Sequence, residues 1–388
     1  MNNLLLISGA ALLIFFFTAY FFQKLRIPSL LVYIFLGVAV AALLSTDEIP
    51  VIDHIAEIGI IVLFFLLGLH YPLNHLLNIS RRIWQVGTMD VVLNFGITVL
   101  LAYLFGFDLF AALIIGGVAY ASSSSITIKM LEDTKRDHTP EAEFKVGLLI
   151  FEDIVAPVMV SFLIGFSQEG TITAGSLAMI SLKIFLLIGI SIIVALYGFR
   201  KLELFIKRYT KKDFMPLLIL GVGLLLSGIA VYLGLSELLG AFLAGVMFSE
   251  TLASREIEKL IKPLKDITLP FFFFWFGTTI AIDIEIMTPI LLLVLIIWGL
   301  TAKLIVGLWG GKIYGLTLQG RLRAAFSLGQ RGEFSVVIAA LAEPLLRVFC
   351  GIYIAVTAMV GVLMFNKAPV ISRFICSYLK THNNGPKS

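Results

Sequence analysis

The sequence predicts an all-α polytopic membrane protein of about 13 transmembrane helices, with inverted six-helix repeats and two crossed broken helices. Three observations lead there. The 388 residues are 59% hydrophobic and only 14% charged, with a mean hydropathy of +1.02; soluble chains carry roughly 25% charge. The basic residues sort to one side of successive apolar segments. Two of those segments, at equivalent places in the two halves, are interrupted by small and polar residues.

The apolar segments run, in order, over residues 3–22, 29–45, 55–72, 84–106, 108–131, 144–166, 172–198, 214–233, 236–250, 267–283, 287–309, 318–342 and 349–371. The first lacks a basic leader and an A-x-A site, so it reads as an uncleaved span rather than a signal peptide. The mixed-charge stretch 251–266 reads as an interfacial helix. The FFFFWF run at 271–276 reads as bulk facing lipid or a partner.

Charge sets the orientation. Loops after odd-numbered spans, together with the C-terminal tail, hold 24 Lys and Arg, among them Lys24, Arg81, Arg82, Lys145, Arg321 and six between Arg200 and Lys212. The N-terminus and the loops after even-numbered spans hold one, Arg347. Positive loops stay in the cytoplasm, which places the N-terminus outside and the C-terminus inside, in a plasma membrane of bacterial type. Basic residues sorted by membrane side give no support for nucleic-acid binding. Histidines 54, 70, 75, 138 and 382 make no i,i+4 pair, so no metal centre is expected. Cys350 and Cys376 form no C-x-x-C site. The absence of G-x-x-x-x-G-K-[ST] disfavours an ATP-driven pump. Neither a cofactor nor an enzymatic activity is expected.

Thirteen spans divide into six, a linker and six, and an offset of seven inverts the second half. Transporters built this way bind substrate at the midplane, between broken helices. The fifth span carries Gly116 and Gly117, then Ser122, Ser123, Ser124, Ser125 and Thr127. Its counterpart, the twelfth, carries Gly329, Gln330, Arg331, Gly332 and Glu333. Such clusters free backbone groups to face an ion, or serve close helix packing.

Glu152 and Asp153 lie side by side in the middle of the sixth span. A charge at the bilayer centre costs about 2.5–3.5 kcal/mol on lenient scales and marks an ion or proton path. Adjacent residues point about 100° apart on a helix, so one acid is expected to hold the ion while the other pairs with a cation. Pro157 lacks the N–H that would bond the Asp153 carbonyl, leaving it for a cation or for a simple kink. Lys303 and Arg331 are the expected counter-charges: Lys303 for Asp153, unless it snorkels to the interface, and Arg331 for Glu152 or Glu333. Asp90 and Asn94, four apart on the fourth span, are candidates for lining the path, with Gln330. A carboxylate that holds either a proton or a small monovalent cation makes a minimal exchanger. A sodium-coupled symporter of an organic anion and a passive cation channel subunit are the alternatives.

The segments SSSSITIKMLED, GLLIFEDIVAPV, LSELLGAFLAGVMFSET, PFFFFWFGTTI and GQRGEFSVVIAAL resemble, in this order and over nearly the whole chain, the monovalent cation:proton antiporter-2 family, and most of all its Kef-type and Kht-type members. The resemblance implies antiport of K⁺, or next of Na⁺, against H⁺ in a homodimer with an elevator-like core. It assigns residues 1–83 and 214–286 to dimerisation helices, 84–166 and 287–372 to the ion-transport core, 167–213 to a linker helix and basic loop, and 373–388 to a short cytoplasmic tail. Asp153 matches the family's ion-binding aspartate, Lys303 its core lysine, Ser122–Thr127 the first unwound segment, and Arg331 and Glu333 the second. Two departures stand out. Glu152 replaces the usual Asn, Gln or Asp, which bears on stoichiometry. The sequence runs about 17 residues past its last span with no Rossmann domain, so any ligand gating is expected to need a separate cytoplasmic subunit.

Overall fold

A computed structural model describes residues 2–24, 27–41, 49–71, 83–169, 173–198, 214–251, 254–280 and 288–383. Arg26, Arg81, Arg82, Lys387 and the basic loop from Arg200 to Lys212 lie outside the described residues. The described chain is helical throughout. Among the described residues, seven helices are long and apolar enough to cross a membrane, and four shorter apolar helices accompany them. By contacts the chain forms two compact units, residues 1–78 with 157–280, and residues 79–156 with 281–388.

The first unit contains α1 (Asn2–Lys24), α2 (Ser29–Val40), α3 (Ile49–Leu69), the later part of α7, α8 (Ala174–Ile193), α9 (Met215–Tyr232), α10 (Glu237–Ser249) and α11 (Ser254–Thr278). Lipid is as apolar as leucine, so helices here associate through close approach rather than hydrophobic contrast. Reciprocal glycines provide it. A Cβ on Gly68 of α3 would sit 2.0 Å from the Phe242 carbonyl of α10, and one on Gly245 of α10 would sit 2.0 Å from the Phe65 carbonyl of α3. Gly37 of α2 and Gly277 of α11 make the same exchange, each 2.1 Å from a facing carbonyl.

The fold departs from expectation along α11. The mixed-charge stretch 251–266 is no separate interfacial element: from Ser254 it runs unbroken into the aromatic run, across Pro263 and Pro270. That run is core rather than lipid-facing. Phe271, Phe272, Phe273, Phe274 and Phe276 are all buried, because α11 packs against both α2 and α3. Phe15 of α1 closes over it, with ring centroids 5.0 Å from Phe271 and 5.3 Å from Phe274.

The second unit contains α4 (Ile83–Leu104), α5 (Leu109–Tyr120), α6 (Ser124–Asp133), the first part of α7 (Pro140–Glu169), α12 (Pro289–Ile313), α13 (Leu318–Ala325), α14 (Glu333–Ala340) and α15 (Pro344–Asn383). α4 and α12 each contain a π-helical turn, Val91–Gly96 and Val306–Gly310. π-Turns of this kind gather at functional sites. α7 begins at Pro140, so Lys145, expected in a loop, lies inside a helix and is fully buried. α15 continues to Asn383, through much of the stretch expected as a tail.

Both interrupted spans are broken. α5 stops at Tyr120; Ala121 and Ser123 are extended, and the chain resumes as α6. α13 stops at Ala325 and α14 starts at Glu333. The breaks meet: Ser122 and Arg331 form an isolated antiparallel bridge, and the Ser123 N–H donates to the Gln330 carbonyl at 2.9 Å. Each break thus satisfies backbone groups that a helix end leaves open.

Candidate functional site

The bridge exists because small residues flank it. A Cβ on Gly332 would lie 2.3 Å from the Ser123 Cβ, and one on Gly361 of α15 would lie 2.4 Å from the Gln330 nitrogen. Ser123 caps α6 by accepting from the Ile126 N–H at 3.2 Å, the usual service of a serine at an N-cap. Ser335 of α14 donates to the carbonyls of Val118 and Ala121, at 2.8 and 3.0 Å, and so covers the open end of α5.

Around this bridge the second unit buries a closed ring of polar groups. Lys303 Nζ on α12 donates to both carboxylate oxygens of Asp90 on α4, each at 2.9 Å, and to Glu152 Oε1 on α7 at 3.0 Å. The other oxygen of Glu152 accepts from the Ser122 N–H at 2.6 Å. Ser122 Oγ lies 3.4 Å from Arg331 Nη1, which donates to it. Arg331 Nη2 donates to Asn94 Oδ1 at 3.1 Å, and Asn94 Nδ2 donates to Asp90 Oδ1 at 2.8 Å, which completes the circuit. Every member is buried. Such a set is held by charge-assisted hydrogen bonds on all sides, and satisfied networks of this kind rigidify a core.

Two expected pairings are not the ones formed. Lys303 bonds Asp90 and Glu152 rather than Asp153: the face of α7 that meets α4 and α12 is that of Glu152, and the next residue is turned about 100° from it. Arg331 makes no ion pair with Glu152 or Glu333; its shortest link to Glu152 runs through Ser122. Asp90, expected to line a path, bonds the lysine through both carboxylate oxygens. Asp153 is itself fully buried, beside Glu152.

A second cluster joins the two half-helix starts. Glu333, in the first turn of α14, accepts from Ser123 Oγ at 3.0 Å, Ser124 Oγ at 3.4 Å and Ser125 Oγ at 2.6 Å, all at the start of α6. One carboxylate therefore sits at the positive ends of two half-helices, where a negative charge is favoured. Gln330 Nε2 donates to Thr127 Oγ1 at 2.6 Å and to the Ser327 carbonyl at 3.1 Å.

The structure brings together residues that the sequence did not single out. Ser335, Gly299, Gly361 and Tyr120 surround the ring; a Cβ on Gly299 would lie 3.3 Å from Arg331 Nη2, and Lys303 Nζ sits 5.7 Å from the Tyr120 ring centroid. Ser335 had a visible signal, two residues beyond Glu333 in an apolar run. The glycines have none, since their roles depend on neighbours far away in the chain. Among the described residues no group of three His, Cys, Asp or Glu is placed to hold a metal ion.

Carboxylates, hydroxyls and fixed cations buried where two interrupted helices cross define a membrane ion transporter. Comparison with known proteins agrees. The model of the transmembrane sodium/hydrogen exchanger family matches residues 11–368, and the chain belongs to that family. It is similar to the ammonium/H⁺ antiporter subunit AmhT of Alkalihalophilus pseudofirmus, 45% identical over 356 residues that cover 92% of this chain and 90% of that one. It is also similar to the K⁺/H⁺ antiporter subunit KhtU of Bacillus subtilis, 28% identical over 355 residues covering 89% and 86%. The sodium proton antiporter MjNhaP1 from Methanocaldococcus jannaschii shares its fold, with a TM-score of 0.72 at 15% identity over 96% of this chain and 99% of that one. The chain is an integral membrane cation/proton antiporter, a transporter rather than an enzyme.

Proposed function

We propose that the protein exchanges a monovalent cation for H⁺ by alternating access, the two competing for Asp153. The observation that carries this reading is the crossing of the two breaks beside a fully buried Asp153. The Ser122–Thr127 hydroxyls and the Asp153 carbonyl, opposite Pro157, supply oxygen ligands for a dehydrated ion. Lys303 serves as a fixed counter-charge. It holds Asp90 and Glu152 in place, so that Asp153 alone changes partner. K⁺ is the favoured cation, with Na⁺ next; the KhtU relative, named a K⁺/H⁺ antiporter subunit, supports K⁺, and the AmhT relative, named an ammonium/H⁺ antiporter subunit, adds NH₄⁺ to the candidates. The motif order supports a Kef-type or Kht-type member of the antiporter-2 branch.

The wider arrangement follows the same proposal: a homodimer in lipid, N-terminus outside and C-terminus cytoplasmic, with thirteen spans in inverted repeats. Residues 84–166 and 287–372 would move as the core, and 1–83 and 214–286 would dimerise. The existence of two compact units supports that division, although residues 157–166 belong to the first unit and residues 79–83 and 281–286 to the second. Both relatives are named as subunits, which supports a separate regulatory subunit here.

The test is proton release from proteoliposomes carrying an internal pH dye, scanned over K⁺, NH₄⁺, Na⁺ and Li⁺. Cation-driven alkalinisation with K⁺ or NH₄⁺, absent in Asp153→Asn, is the expected result. Sodium-driven uptake of an organic anion would instead establish a symporter, and cation flux without proton movement a channel.

A further inference from the structure

A second charged cluster lies in the second unit, away from the ring. Lys145 is on α7 seven residues before Glu152, about 10 Å along the helix axis. Its side chain is fully buried, yet Nζ has no hydrogen-bond acceptor among the described residues. An ammonium carries three donors, and an uncompensated buried charge is strongly unfavourable. The neighbours make this worse. Arg136, in the α6–α7 connection, and Arg323, on α13, both act electrostatically on Lys145. Arg136 leaves Nε and Nη2 without acceptors, and Arg323 leaves Nε without one.

The compensation on hand is small. Glu141 is buried and engaged by Arg323 Nη1 at 3.0 Å. The Phe365 ring of α15 lies 4.8 Å from Lys145 Nζ and 5.2 Å from Arg136 Cζ. A ring attracts a cation through its face, but it cannot accept in-plane hydrogen bonds from several donors. Glu143, the next acid along, is hydrogen-bonded by Tyr314 Oη at 2.9 Å. Three cations thus face one carboxylate, and four unsatisfied nitrogens remain on them.

We propose that Arg136, Lys145 and Arg323 form a binding site for a phosphate group. A phosphate monoester dianion would offset the surplus positive charge of the three side chains. Its oxygens would accept from the open guanidinium and ammonium donors, a pairing in which arginine forks and lysine point charges both excel. Arg136 and Arg323 are part-exposed and Lys145 is fully buried, so a phosphate would enter past the two arginines. Basic pockets among membrane helices take phospholipid headgroups in this way, and a soluble phosphate offers the same chemistry. An occupied site would tie the α6–α7 connection to α13 and α15, and therefore one broken span to the other.

The experiment measures the melting temperature of the full chain by tryptophan fluorescence in phosphatidylcholine-containing micelles. One arm titrates inorganic phosphate against chloride at constant ionic strength. The other replaces a fifth of the phosphatidylcholine by phosphatidic acid. The expected result is a saturable rise of about 3–6 °C in at least one arm, absent in Lys145→Met. Without either probe, Lys145→Met is expected to melt above the wild type, because it removes the stranded charge. A rise with inorganic phosphate identifies a soluble ligand, and a rise with phosphatidic acid alone a lipid. Should Lys145→Met not fold, Arg136→Gln gives the same reading through loss of the rise. No rise in either arm, or an equal rise in the variant, overturns the proposal.

Discussion

Lys303 and Asp90 form a symmetric ion pair in the interior of the second unit, with Nζ 2.9 Å from each carboxylate oxygen and neither side chain exposed. Glu152 completes the lysine's coordination at 3.0 Å. The lysine therefore serves two acids on two helices, α4 and α7, and its removal affects both.

Replacing Lys303 by Met strands Asp90 and Glu152 together. Breaking a buried pair from one side destabilises by about 3–5 kcal/mol. Lys303→Met is expected to lower the melting temperature clearly, and the double change Lys303→Met with Asp90→Asn to restore part of the loss. Thermal melts of the two variants decide it: a double variant no more stable than the single one would show that Asp90 is not what the lysine neutralises.

Asp153→Asn retains shape and removes the exchangeable charge. Cation-driven proton release in proteoliposomes is expected to vanish, while the melting temperature stays within a few degrees of wild type. Transport at the native rate in this variant would remove Asp153 from the mechanism.

Gly332→Ala forces a methyl to within 2.3 Å of the Ser123 Cβ at the crossing. Overpacking of this kind costs about 1–3 kcal/mol, and the displaced bridge is expected to reduce transport as well. Gly189→Ala on α8, where nothing lies within 4 Å, is the control and is expected to be neutral. Melting curves and proton flux of both variants, side by side, test the claim.

Ser125→Ala removes the shortest of the three hydroxyl bonds to Glu333, at 2.6 Å, and leaves two. A loss of about 1 kcal/mol in stability is expected. Glu333→Leu leaves all three hydroxyls at the start of α6 without their acceptor and is expected to be worse. Equal melting temperatures for the two variants would contradict the shared role assigned to this carboxylate.

The broken spans were legible because Ser122–Ser125 and Gly329–Gly332 interrupt apolar runs with residues that weaken helices. What meets across the breaks was not, since the Ser122–Arg331 contact joins positions 209 residues apart. The partner of Lys303 is not legible in the sequence for a related reason. Any buried acid suits a buried lysine, and only the rotation of α7 favours Glu152 over Asp153. The phenylalanine run shows a different limit. In a membrane, an apolar side chain is equally at home against lipid or protein, so Phe271–Phe276 carried no signal of burial. Lys145 reads as a loop residue because the apolar stretch begins only one residue before it, at 144, whereas α7 already starts at Pro140.

The hydrogen bond from the Ser123 amide to the Gln330 carbonyl belongs to no helix. Its deuterium exchange therefore reports on the crossing alone, free of the fraying that dominates helix ends. Should that amide stay protected through many turnovers, the two breaks travel as one piece and the ion is carried with them. If it exchanged in step with transport, the breaks would part in every cycle. One amide proton thus separates a carried site from a dismantled one.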